Sequence, residues 1–501
     1  MKIPAKFTKT ISSVALVSTL ALAGCTAGTS SVNSSSSISS SSAATSSGST
    51  TATAVATTAG TTVASVISYD THYDADDLTW DSSSEVTIDL SNPTATEGVT
   101  VDNGLITITA AGNYRLTGTL ADGQVVVAAG EEDVVRLILD NASITNKDGA
   151  AIDAESANET IIYTESGTTN TIADGSTYAA TGTEDPDAAL YARTDLTLAG
   201  EGTLKVSGNY GDGIASGDGL TIAGGTIEVT ATDDGIKGKD YVDILGGTID
   251  VTATSDGIKS TNDTDAERGW VRLLDGTITI SSGDDGFKSE RELEIAGGTL
   301  TVEESVEAIE GQYLTISGGT TNATSSDDGL NATIPSTTTT SAGGMNQVVD
   351  ASISITGGEL TLNVEGDGID SNGTAEISGG TVIVNGPSTG GNGATDAAGG
   401  LTVTGGTLIQ GDRGDMFEGM EGAYARFTAS VSAGDTVTVT NSSGETIAEY
   451  TSTKVISAVV VAGSAVAVGE SYTLSVNGSE AGTATATSGA AAGGMGRGGR
   501  P

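Results

Sequence analysis

Three stretches of this 501-residue chain set acids and a base at one fixed spacing: "VTATDDGIKG" at 229–238, "VTATSDGIKS" at 251–260 and "ISSGDDGFKS" at 280–289. In each, a lysine (Lys237, Lys259 or Lys288) follows the aspartate of an Asp-Gly corner by three residues. The corner recurs more widely, with Asp212, Asp234, Asp256, Asp285, Asp328 and Asp367 each preceding a glycine, and Asp233, Asp284 and Asp327 doubling three of them. Repeated carboxylates of this kind suit a hard cation such as Ca²⁺, which takes about six to eight oxygens from carboxylates, carbonyls and water. The lysines offer a second, internal compensation, and the two are compatible. Aspartate before glycine is also the ordinary residue of a tight turn, a reading that stays open for each corner taken singly. It does not account for the doubled aspartates or for the constant place of the lysine.

The elements that must position these residues are written in a second repeat. A Gly-Gly-Thr corner returns at 224, 246, 297, 318, 379 and 405, with variants at 200, 275 and 357, mostly 21 to 23 residues apart. A period in this range signals a solenoid. Each period holds three stretches of apolar/polar alternation, the mark of a strand with one buried face. The third is a short strand after the Asp-Gly corner, contributing Ile214, Ile236, Ile258, Phe287, Ile309, Leu330 and Ile369. Three short strands per turn predict an all-β chain: a right-handed parallel β-helix of roughly a dozen coils over residues 67–422. Coils one strand spacing apart, ~4.8 Å, would stack the corner aspartates in one row. The lysines, each one residue beyond an inward Ile or Phe, are expected to be exposed in a second row. Longer periods insert chain just after the corner strand, at 261–270 and 331–350, which predicts walls beside a groove. Trp270 and Tyr241 are candidate stacking faces for sugar rings. Residues 423–485 lose the repeat and read as hairpins, a small β cap, with a Gly-rich disordered tail at 486–501.

The N-terminus reads as a secretory signal: Lys2, Lys6 and Lys9, an apolar run to Leu22, then Leu22-Ala23-Gly24-Cys25. That tetrad resembles the bacterial lipobox and implies a lipid anchor on Cys25, at the extracellular face of a bacterial membrane. Cys25 is the only cysteine, so an intramolecular disulfide is excluded. Residues 26–66 are uncharged and rich in Ser and Thr, the composition of a disordered linker. A net charge of −45 makes nucleic acid a poor partner. The expected partners are a polysaccharide and, through the anchor, a membrane; the protein is expected to be a monomer.

The stretches "GNYRLTGTLADGQVVV", "LILDNASITNKDGAAI" and "ESGTTNTIADGS", together with the "GGTIxVTATxDGIKS" coils, resemble the bacterial surface carbohydrate-binding parallel β-helix proteins over roughly residues 66–420. The resemblance implies calcium binding and affinity for cellulose or acidic plant polysaccharide. That family's fold is similar to the calcium-dependent pectate lyases, so a polysaccharide lyase is the alternative, and a non-catalytic structural adhesin a further one. A β-elimination needs a cation and a base. Three equivalent lysines in a ladder look more like a repeated binding surface than one tuned base. His72, the only histidine, does not recur and no Ser-His-Asp set is present; no residue is assigned as catalytic.

Overall fold

The computed structural model describes residues 69–179, 186–335 and 348–489. The signal segment with Cys25, the 26–66 linker and the tail beyond Gly489 lie outside the described residues. Apart from two single 3-10 turns, Ala75–Leu78 and Ser82–Ser84, the regular structure there is all β.

Each repeat lays down three strands, and each strand pairs in parallel with its equivalents in the repeats on either side. Tyr241–Ile244 lies between Gly219–Ile222 and Trp270–Leu273, and Thr248–Ala253 between Thr226–Ala231 and Thr277–Ser281. Ile258–Ser260, the short strand after the Asp-Gly corner, lies between Ile236–Gly238 and Phe287–Lys288. The first two strands of every repeat join a 26-stranded sheet and the corner strand a 13-stranded one. These long parallel sheets are compatible with the β-helix expected from the repeat. Period-two alternation turns Ile236, Ile258, Phe287, Ile309, Leu330 and Ile369 inward, all fully buried and in direct register.

The two glycine corners have different causes. In Gly-Gly-Thr the second glycine is left-handed, as at Gly225 (φ 93°), Gly319 (φ 74°) and Gly380 (φ 75°), a conformation that costs any residue with a β-carbon. The Asp-Gly glycine is not left-handed; a β-carbon on Gly235 would lie 2.3 Å from Val251 Cγ1 and 2.5 Å from the Gly257 carbonyl oxygen of the next coil. Close approach of neighbouring coils, rather than φ, requires that glycine.

At the C-terminal end the last parallel strand, Thr407–Asp412, is covered by the antiparallel strand Ile456–Gly463, which also pairs with Gly422–Val431. A separate four-stranded sheet completes the cap. The cap extends further than its sequence suggests. Thr487–Gly489 pairs with Gly422–Tyr424, so residues 486–489, expected in the tail, belong to the cap.

Candidate functional site

The corner sheet sets two rows of side chains side by side. Its register places Lys237, Lys259, Lys288, Glu310, Asn331, Asp370 and Asp396 in one line. The corner acids form the other. Oδ1 of Asp212 accepts the backbone N–H of Asp234 at 3.1 Å, and Asp234 accepts that of Asp256 at 3.2 Å. Asp256 accepts that of Asp285 at 3.0 Å, and Asp328 that of Asp367 at 2.6 Å. Glu307 takes the intervening place, its carbonyl accepting the Gly286 N–H as that of Asp285 accepts the Gly257 N–H. One carboxylate oxygen of each stapled corner thus ties its coil to the next, a bond between coils rather than within the local turn.

The second oxygen faces the lysines. Lys259 Nζ bridges Asp234 Oδ2 at 2.6 Å and Asp256 Oδ2 at 2.9 Å. Lys288 Nζ bridges Asp285 Oδ2 at 2.5 Å and Glu310 Oε1 at 3.0 Å. Lys237 pairs with Asp212 and, at 3.3 Å, with Asp187. The expectation of exposed lysines is therefore corrected: their side chains are only 19 to 23% exposed. They lie down along the acid row because carboxylates buried beneath them would otherwise be uncompensated. Even so, burial pushes Asp212 and Asp285 up to about 7. Burial works to lower the Lys259 pKa, but Asp256 and Asp234 outweigh it and the pKa is raised.

Toward the C-terminus the same positions hold no lysine. Oxygens of Asp328, Asp367 and Asp370 lie within 4.8 Å of one another. The charges acting on Asp370 are those of Asp328, Asp367 and Asp396; burial first, then this repulsion, raises it to about 8. Asp367 is raised to about 7, again chiefly by burial, and Glu307 to about 9 by burial and its contact with Glu310. The groups Asp212/Asp233/Asp234, Asp256/Asp284/Asp285 and Asp285/Glu307/Glu310 are equally close-set, but each adjoins a lysine of the row. Asp327 is exposed and belongs to no such group among the described residues. Glu307, Glu310 and Asp370 were missed from sequence, although "VEAIEG" at 306–311 and "GDGIDS" at 366–371 occupy the register of "DDGFKS".

The start of the second insertion does stand beside the rows: Thr333, Ile334 and Pro335 wall a cavity of about 300 Å³ bordered by Lys288, Glu290 and Glu310. The first is tied through Arg268 to Asp240 and to the carbonyl of Asp70.

Trp270 and Tyr241 are corrected outright. They are 0% and 2% exposed and stack on each other, centroids 4.7 Å apart. Both begin strands of the long sheet, and the N-terminal segment lies over them. Tyr69 packs edge-on to Trp270 at 5.0 Å and donates to Glu292 at 2.8 Å. His72 pairs with Asp195 at 2.7 Å, and its backbone N–H donates to the Tyr241 hydroxyl at 3.2 Å. Neither ring has a face open to a sugar.

Residues 102–351 match a family model described as carbohydrate-binding domain-containing protein. A protein of Acetivibrio thermocellus with the same description is 36% identical over 145 residues, which are 28% of this chain and 51% of that protein. The chain thus spans about half the length of this curated relative. A solved structure described as the polysaccharide lyase-like protein from C. thermocellum, gadolinium derivative, is 33% identical, with a TM-score of 0.42 over 48% of this chain and 94% of that one. Over residues 102–351, then, the chain is similar to carbohydrate-binding domain-containing proteins.

Proposed function

We propose that this is a cell-surface polysaccharide-binding protein, lipid-anchored at Cys25, whose binding strip is the double row on the corner sheet of a right-handed parallel β-helix. Its polymer is an acidic plant polysaccharide or cellulose, and Ca²⁺ assists. The family match supports carbohydrate binding in general. The observation that carries the finer reading is the change of sign along one register line, from Lys237, Lys259 and Lys288 to Glu310, Asn331, Asp370 and Asp396. Where lysine is present the acid row has its cation built in. Where it is absent, Asp328, Asp367 and Asp370 form an all-oxygen group fit for a hard divalent cation, and these residues would hold it. Bound there, Ca²⁺ would supply positive charge for carboxylates or hydroxyls of the polymer. Binding is favoured over a lyase because the lysines, held in ion pairs with raised pKa, are poor bases near neutral pH.

The test is affinity for polygalacturonate and for cellulose, with and without EDTA, for wild type and for the double variant Asp367→Asn/Asp370→Asn. Wild type is expected to bind, and chelation or the double variant to weaken binding by about tenfold or more, which is ~1.4 kcal/mol. Undiminished affinity in both conditions would remove the acidic group from the site. A sustained release of unsaturated uronides would favour the lyase.

A further inference from the structure

We propose that the Tyr178–Tyr210 pair is a stacking platform for one pyranose ring of the bound polymer, at the N-terminal end of the corner rows. The proposal rests on the polysaccharide-binding reading above and names a subsite within it. Tyr210, 38% exposed, is the most exposed Phe, Trp or Tyr among the described residues. Its ring stacks on that of Tyr178, centroids 4.1 Å apart and planes 17° from parallel. The stack is built rather than incidental. Buried Asp174 accepts the backbone N–H of Asn209 at 2.5 Å and that of Tyr210 at 3.4 Å. The Tyr178 hydroxyl lies 2.8 Å from an Asp174 carboxylate oxygen and 2.9 Å from the Ala188 carbonyl oxygen. The Asn209 amide also donates to the Asp174 carbonyl at 2.9 Å. One buried carboxylate thus fixes both tyrosines before any ligand arrives.

The platform adjoins the charged rows. Tyr210 stands two residues before Asp212 on the same corner, and the Asp187 carbonyl accepts the Asp212 N–H at 2.9 Å. The Asp187 side chain reaches Lys237 at 3.3 Å. An aromatic face, an acid and an ammonium therefore meet at one corner. The ring face carries the negative pole of its quadrupole, and a pyranose offers it the weakly positive hydrogens of its axial C–H bonds. The sugar's equatorial hydroxyls, or a carboxylate, then point sideways to charged partners such as Asp187 and Lys237. Tyrosine holds such a face with few rotamers to freeze, the more so when a neighbouring ring already immobilises it.

The experiment compares wild type, Tyr210→Phe and Tyr210→Ala for binding to polygalacturonate and cellulose, with melting temperature as the folding control. Tyr210→Phe should bind within about twofold of wild type and Tyr210→Ala about tenfold more weakly, on whichever polymer the wild type binds. Wild-type binding with an unweakened Tyr210→Ala would overturn the platform alone; no binding by wild type would overturn the parent reading with it. A second measurement needs no variant: nitration of Tyr210 in the wild-type protein should fall when polymer is saturating. Undiminished nitration would count against the platform whatever the variants do.

Discussion

A carboxylate that cannot leave its neighbours makes the corner rows sensitive to pH, and the direction follows from burial. Asp212, Asp285 and Asp367 are raised to about 7 and Asp370 to about 8, against ordinary aspartates near ~4 in an unfolded chain. Between those limits the folded state holds more protons than the unfolded one, so stability is greatest below the unfolded value and falls as pH rises through the folded values. With EDTA present, the melting temperature should rise as pH is lowered from about 8 to about 5.5. A cation binds the ionised form and stabilises by mass action. The increment from added Ca²⁺ should therefore be largest near the upper end of that range and vanish near the lower end. A calcium increment independent of pH, or a melting temperature that falls on acidification in EDTA, would contradict protonation of this row.

At the scale of the element, the Gly-Gly-Thr turn can be dissected because its left-handed glycines differ in their surroundings. Gly225 has φ 93°, but a β-carbon there would have no neighbour nearer than 3.5 Å; at Gly319, φ 74°, it would lie 2.6 Å from the Gly297 carbonyl oxygen. Gly225→Ala should thus carry the left-handed penalty alone, ~1 kcal/mol, and Gly319→Ala the penalty plus a clash with rigid backbone, ~2 kcal/mol or more. Denaturation midpoints giving equal losses would mean that coil spacing relaxes freely at this turn. The strands themselves were legible in the sequence because period-two alternation and glycine corners are local signals. The acid and lysine rows were legible as well, since stacking turns a sequence period into a line in space. What escaped depended on neighbours far along the chain. Nothing near Trp270 announces that Tyr69, some two hundred residues earlier, will cover it; for Lys259 only half of the signal is local, since Asp256 lies three residues before it while Asp234 comes from the preceding coil. Glu310 and Asp370 escaped differently: they keep the lysine's register but not its residue type, so a search by identity passes over them.

For the whole molecule, an open parallel sheet has a problem at its last strand, whose unpaired edge invites a second chain. Here Ile456–Gly463 closes that edge on Thr407–Asp412 and serves two cores at once. Val460 and Ala462 point into the main apolar core, while Val459 and Val461 point into the separate core of the cap. Alternation along this strand therefore joins two bodies that each need it. Val460 is 3% exposed, so Val460→Asp would bury an unpaired carboxylate at the seam, a loss of ~3 kcal/mol or more from the seam. The cap core does not include Val460 and should survive, so the expected result is a loosened seam rather than global unfolding. Once loosened, Thr407–Asp412 presents its hydrogen-bonding edge to solvent, with Leu408 and Ile409 beside it. Light scattering should then show concentration-dependent self-association of Val460→Asp at temperatures where circular dichroism still reports the wild-type β signal. A variant that stays monodisperse and keeps the wild-type denaturation midpoint would mean that the edge is protected by something other than this strand.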